Sequence, residues 1–295
     1  MKKVLPFLLA ILILPLLGLE CKEKPPTPPT PPVPQVLEKE GWETVGQQIQ
    51  VGTNLIYTEF KPEEPQTDPD MYPMSPGESR LVYEDASGKV LYVENFGEFS
   101  FGENELVNID KDKEEELIFT TYSGGAHCCF THYIFEVSPT SLTKTLQVDA
   151  GNHPFLYQDF NNDGTQEIIL GDDSYAYRFT DYASSGIPKN IFEYQKGKLV
   201  NVNNKYPEFL ENEIVFWKNA AQDMTKQYNS NCNEEMAPIR GPVSAVVAYY
   251  YYLGKETEAE SYFNSVCGSG NQTLFQEMVE AAKESIKRNK VITSQ

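Results

Sequence analysis

Residues 159–170 read DFNNDGTQEIIL, with oxygen donors at alternate positions (Asp159, Asn161, Asp163), then Gly164, then Glu167. A hard divalent cation wants such an all-oxygen set, and calcium takes six to eight oxygens, with carbonyls and waters completing the shell. Gly164 permits a sharp turn, and Glu167, ninth in the loop, is placed to close the shell. An EF-hand is excluded. Its twelfth position would be Leu170, which cannot ligate, and an apolar strand follows where that motif needs a helix. The competing reading is a polar turn ahead of a buried strand.

A second stretch, SGGAHCCFTHYIF (residues 123–135), holds two of the three histidines and two of the five cysteines. His127, Cys128, Cys129 and His132 are side chains that zinc or copper favours. Their spacing argues otherwise, because adjacent strand residues point to opposite faces and Cys128 and Cys129 would not converge on one ion. A cysteine–histidine dyad needs its members to meet in space, and nothing in the stretch points to an activated thiol. Disulfide or structural roles for Cys128 and Cys129 are the stronger expectation. Elsewhere there is no HExxH, no phosphate loop and no serine-hydrolase context.

The elements that must position the acidic loop form a repeat. LVNIDKDKEEELIFTTYSGG (residues 106–125) aligns with YQDFNNDGTQEIILGDDSYA (residues 157–176) at an offset of 51 residues. Asn108 falls on Asp159, Asp110 on Asn161, Asp112 on Asp163, Glu116 on Glu167, and Leu117-Ile118-Phe119 on Ile168-Ile169-Leu170. Such a period suits one four-stranded antiparallel sheet per repeat, the size of a propeller blade.

A DxDxDGxxE loop between strands resembles the calcium loops of FG-GAP and VCBS-type repeats, the kind found in integrin alpha-chain propellers and in many secreted bacterial proteins. The resemblance covers roughly residues 100–200 and implies calcium on Asp159, Asn161, Asp163 and Glu167, with a carbonyl near Thr165. The first copy, with Asn108, Asp110, Asp112 and Glu116, departs from that pattern: Lys113 replaces the glycine and Lys111 adds a cation. It is expected to be the weaker site, or a polar turn that has lost its ion. GGAHCC is similar to stretches in secreted proteins of this repeat type, where the cysteines would form a vicinal disulfide or pair with other cysteines.

With only two clear repeats, a closed propeller is not expected, since closure usually takes at least four blades. RLVYEDASGKVLYVE (residues 80–94) reads as a hairpin turning at Gly88, part of a degenerate earlier sheet. The expectation is therefore two or three blade-like antiparallel β repeats over residues 41–203, followed by an α-helical region, 204–295, that packs on them. Within that region, AVVAYYYYLGKETEAESYFNSV (residues 245–266) resembles one tetratricopeptide-type helical hairpin. Tyr249 to Tyr252 are four consecutive residues and cover all sides of a helix, so some must be core and some exposed. Cys232 and Cys267, at the ends of helical segments, are the favoured disulfide partners.

The chain opens MKKVLPFLLAILILPLLGLEC, two lysines ahead of an apolar run too short for a comfortable span and shaped like a secretory signal over residues 1–20. Cys21 directly behind it resembles the lipidated cysteine of bacterial lipoproteins. The alternative is an ordinary cleaved signal followed by a free cysteine. Residues 21–40 include KEKPPTPPTPPVP, which favours the extended polyproline helix and would act as a tether of roughly 30 Å at ~3.1 Å per residue.

The formal charge of −19 excludes nucleic acid as a partner. Together these features predict a membrane-anchored lipoprotein of the cell envelope, facing periplasm or surface. Its calcium-stabilised β repeats would serve as a binding, adhesion or scaffold module for a protein or glycan partner. The alternative is a secreted, hydrolase-like enzyme using the His127-Cys128-Cys129 stretch or the acidic loops.

Overall fold

The computed structural model describes residues 37–63, 77–98, 101–112, 114–124 and 129–294. The signal, Cys21, most of the tether, Lys113, His127 and Cys128 lie outside the described residues.

Three antiparallel sheets follow one another along the chain, each a meander of consecutive strands. The first runs β1 (Glu43–Val51), β2 (Asn54–Pro62), β3 (Gly77–Glu84) and β4 (Val90–Glu98), in that spatial order. The second runs β5 (Phe101–Val107), β6 (Glu116–Tyr122), β7 (Phe130–Ser138) and β8 (Ser141–Gly151). The third holds β9 (Leu156–Gln158), β10 (Glu167–Gly171), β11 (Lys189–Tyr194) and β12 (Lys198–Asn201). The 51-residue offset carries the start of β6 onto the start of β10, so the repeat seen in the sequence is a repeat of whole sheets.

Period-two patterning stacks these sheets. In β6, Leu117 and Phe119 point one way and join Ile56, Leu81, Tyr83 and Phe135 in a core between the first and second sheets. Ile118 points the other way, into a core with Ile134, Leu146, Ile168, Leu170 and Phe192 between the second and third. Each fully buried aliphatic or phenyl side chain contributes about 1.5–3 kcal/mol. Phe119→Ala, at a position with no exposure, would cost about 3–5 kcal/mol and loosen the first interface.

Among the described residues four α-helices follow the third sheet, α1 (Pro207–Tyr228), α2 (Arg240–Tyr252), α3 (Glu256–Cys267) and α4 (Gln272–Arg288), and α2 meets β11 where Lys189 N–H donates to Tyr249 Oη at 2.7 Å. Pro207 opens α1 at a position needing no backbone donor, and Asn229, left-handed at φ 48°, closes it. In α4 the buried residues Leu274, Phe275, Met278, Val279 and Ala282 keep a helical period and face α2 and α3. α2 and α3 form the hairpin read in the sequence, Tyr249 being fully buried and Tyr250 to Tyr252 partly so. Cys232 and Cys267 are joined by a disulfide across 35 residues.

The C-terminal region is not purely helical. β13 (Val291–Thr293) leaves α4 and adds to β12 at the edge of the third sheet. Buried Asp172, just beyond β10, fixes that return. It accepts from Arg288 Nη2 at 2.6 Å and from Asn289 Nδ2 at 2.8 Å. A three-residue strand has too little pattern to announce itself, and it exists here because its sheet partner is already in place.

Candidate functional site

The two acidic loops lie ahead of β6 and β10 and are built on one hydrogen-bond frame. In the first, Ile109 N–H donates to Glu116 Oε2 at 3.1 Å, Asp112 N–H to Asp110 Oδ1 at 2.9 Å, and Glu114 N–H to Asp112 Oδ1 at 2.9 Å. In the second, Phe160 N–H donates to Glu167 Oε2 at 3.0 Å, Asp163 N–H to Asn161 Oδ1 at 2.8 Å, and Thr165 N–H to Asp163 Oδ1 at 2.9 Å. Each of these three bonds has its counterpart 51 residues on. Gly164 takes φ +88°, the left-handed turn that its type permits.

The loops also grip one another. Gln166 N–H donates to the Asn108 carbonyl at 2.8 Å, Asn108 Nδ2 to the Gly164 carbonyl at 3.0 Å, and Thr165 Oγ1 to the Asp110 carbonyl at 3.1 Å. Lys111 Nζ of the first loop lies 3.6 Å from Asp163 Oδ2 of the second. The loops form a single joint between the second and third sheets.

Electrostatically they differ. In the first loop, one oxygen from each of Asp110, Asp112 and Glu116 lies within 4.8 Å of the others, and among the described residues this is the one such acidic or metal-ligating trio. Burial, together with the neighbouring Asp110 and Asp112 charges, pushes the Glu116 carboxyl up to about 7. Burial and then Asp112 raise Asp110. Asn108 Oδ1 is buried without a hydrogen-bond partner. An acidic trio with no cation paired to it among the described residues, beside an orphaned amide oxygen, is an all-oxygen donor set of the kind calcium takes, so the residues present fit such an ion.

In the second loop the acidic side chains have donors beyond the bonds shared by both loops. Asp159 accepts from Asp163 N–H at 3.1 Å and Gly164 N–H at 2.9 Å. Glu167 is buried, and its Oε1 accepts from Tyr206 Oη at 2.6 Å. The Thr165 N–H bond, with Lys111 alongside, holds Asp163 below the usual carboxylate range. Tyr206 and Lys111 were invisible as participants in the sequence. They reach the loop through the stacking of sheets and the entry of α1, and no local spacing encodes either contact.

Around the cysteine stretch, His132 is buried, with Phe155 N–H donating to Nε2 at 3.1 Å. That bond leaves the ring hydrogen on Nδ1, which donates to Thr120 Oγ1 at 2.8 Å. Its ring stacks on Phe155 at 3.8 Å, and burial lowers it to about 3. His132 is thus a neutral core residue whose two nitrogens are both engaged. Cys129 is disulfide-bonded, its partner lying outside the described residues.

The fold and site therefore define a stack of antiparallel sheets with paired acidic loops at one joint and a helical cover. The chain is similar to the probable thylakoid lumen protein of Synechocystis sp., 32% identical over 104 residues, 34% of this chain and 30% of that one. It is also similar to an uncharacterized protein of Sinorhizobium fredii, 25% identical over 169 residues, 56% of this chain and 25% of that one. The matches thus span under a third of either relative. No protein-family profile matches the sequence, and no solved structure matches it. No helix among the described residues is long and apolar enough to cross a membrane.

Proposed function

We propose that this is an exported cell-envelope protein whose paired loops hold calcium and whose blade-like β repeats act as a binding module. The observation that carries the reading is the convergence of Asp110, Asp112 and Glu116 beside the orphaned Asn108 oxygen. A divalent ion there would offset three like charges held close together. The second loop keeps the same frame around Asp159, Asn161, Asp163 and Glu167 and is the companion site, with less uncompensated charge. An ion in either loop would tighten the joint between two sheets and present a fixed surface to a protein or glycan partner.

Export is supported by the signal-like N-terminus and by the lumenal name of the Synechocystis relative. Cys21, directly behind the apolar run, supports a lipid anchor with the proline-rich stretch as tether. The test is a calcium titration of the full-length protein in detergent, followed by its melting temperature. A ligand that binds only the folded state stabilises it by ~2.7 kcal/mol at a hundredfold excess over its dissociation constant. A melting temperature indifferent to calcium would remove the ion, and the binding module would lose its support.

A further inference from the structure

The joint borders a cavity of about 740 Å³ between the two loops and the hairpin of β11 and β12. Its size is that of a site for a ligand of a few rings. Its lining includes Asp110 and Asp112, Lys196 and Lys198, and also Glu167 and Glu193, which are bonded to Tyr206 and Lys205. Three lysines against four carboxylates is close to balance in a chain of 43 acidic and 24 basic residues. Among the described residues neither Lys196 nor Lys198 pairs with a carboxylate, whereas Lys111, also at the cavity, is engaged by Asp163.

The backbone beneath these lysines is costly and rigid. Lys196 and Gly197 form a two-residue turn closed by Gln195 N–H donating to the Lys198 carbonyl at 2.8 Å, and both have positive φ, +50° and +77°. Such a turn favours asparagine, aspartate or glycine at its first central position, and a long side chain there is uncommon. The tip is also pinned: a Cβ on Gly197 would stand 2.8 Å from the Thr145 carbonyl, and Tyr194 Oη donates to Thr145 Oγ1 at 2.7 Å. A lysine held in a disfavoured conformation on a hairpin packed against Thr145, in the lining of a cavity, is placed for a ligand rather than for the turn.

We infer that this cavity binds an acidic saccharide, a short oligosaccharide of uronic acids whose carboxylates meet Lys196 and Lys198. The inference rests on the calcium reading for its other wall, where the ion would take sugar oxygens into the positions that protein oxygens leave open. Amide and carboxylate side chains in a mainly apolar lining that includes Ile109, Tyr194 and Val200 suit a sugar ring, which has apolar faces and hydroxyl edges. An acidic peptide is disfavoured, because β11 and β12 are both inner strands of their sheet and offer no free edge for main-chain pairing.

The experiment is calorimetric titration of the full-length protein with trigalacturonate, with its methyl-esterified counterpart, and with an aspartate-rich peptide, each in calcium and in EDTA. The variant is the pair Lys196→Asn and Lys198→Gln, in which asparagine suits the turn, so an unchanged melting temperature is expected. Trigalacturonate should bind in calcium, the ester should not, and the variant should weaken binding at least tenfold while calcium alone still binds it. Binding in EDTA that still depends on the lysines would uphold the saccharide site and remove the ion. Calcium binding with no trigalacturonate binding, an ester that binds equally well, or a peptide that binds more tightly would each overturn the inference and leave the ion standing.

Discussion

The two acidic loops share three backbone-to-side-chain hydrogen bonds, yet they solve the problem of gathered charge differently. The second has the better calcium sequence, with Gly164 at the turn and neither of the first loop's two lysines, and its carboxylates are met by Tyr206 and Lys111 as well as by backbone N–H groups. The first has the poorer sequence and is left with a converging trio that, among the described residues, is met by backbone N–H groups and no side-chain cation. A loop's own residues set its frame, while its appetite for a cation depends on what neighbouring elements bring to it. Lys111 exemplifies this. Within its own loop it reads as a deterrent to calcium, but in space its charge is directed to the other loop.

The largest expected effect lies away from the loops and sets the window in which they are best compared. His132 has a folded-state value near 3 against an ordinary 6.5, because burial disfavours its charged form. The unfolded chain therefore takes up the proton first. Stability from this residue is fully present above 6.5 and drains as pH falls toward 3, at about 1.4 kcal/mol per pH unit. Denaturation of wild type and His132→Gln across that range should show a flatter acid limb in the variant. Identical limbs would mean that His132 does not stay neutral in the fold, and the loops are best tested above pH 6.5.

Next in size is the contrast between the closing glutamates, measured by urea denaturation in EDTA. Glu167→Ala strands two donors, Phe160 N–H and Tyr206 Oη, and should cost about 2–6 kcal/mol at about 1–3 kcal/mol per unsatisfied group. Glu116→Ala strands Ile109 N–H alone and removes one member of a repelling trio, so its cost should be smaller. If Glu116→Ala proves the more damaging without any ion, the electrostatic distinction between the loops is wrong.

Calcium then reverses the ranking. Asp112→Ala should remove most of the calcium-dependent rise in melting temperature, and Asp163→Ala a smaller part of it. The opposite order would return the principal site to the loop with the better sequence, and would show that hydrogen bonds within a loop do not weaken its hold on an ion.

The periodicities of two and 3.6 made the sheets, the helical cover and the change between them near residue 204 legible in advance, because each rests on local patterning. The 51-residue offset gave the equivalence of the loops for the same reason. What stayed hidden is contact between elements: Tyr206 on Glu167, Lys111 on Asp163, Gln166 on Asn108, and the return of β13 to β12. Each depends on how one sheet lies against another, and none leaves a trace in spacing. Lys196 was overlooked because a lysine ahead of a glycine reads as an ordinary hairpin tip until its backbone angle and its cavity are known.

The smallest expected effect isolates that hidden contact. Lys111 and Asp163 stand apart at 3.6 Å, with the lysine side chain 74% exposed, so solvent and salt screen the pair and Lys111→Ala should barely change unfolding in EDTA. Its effect on calcium should be visible all the same. Removing the ammonium takes a competing cation from Asp163, and the second loop should bind calcium more tightly. The response that survives in Asp112→Ala should therefore grow when Lys111→Ala is added. Calorimetry of the single and double variants would measure this as a coupling between two residues of one loop read out at the other. A double variant whose residual calcium affinity is unchanged would mean that Lys111 is a bystander and that the loops are joined through their backbone bonds alone.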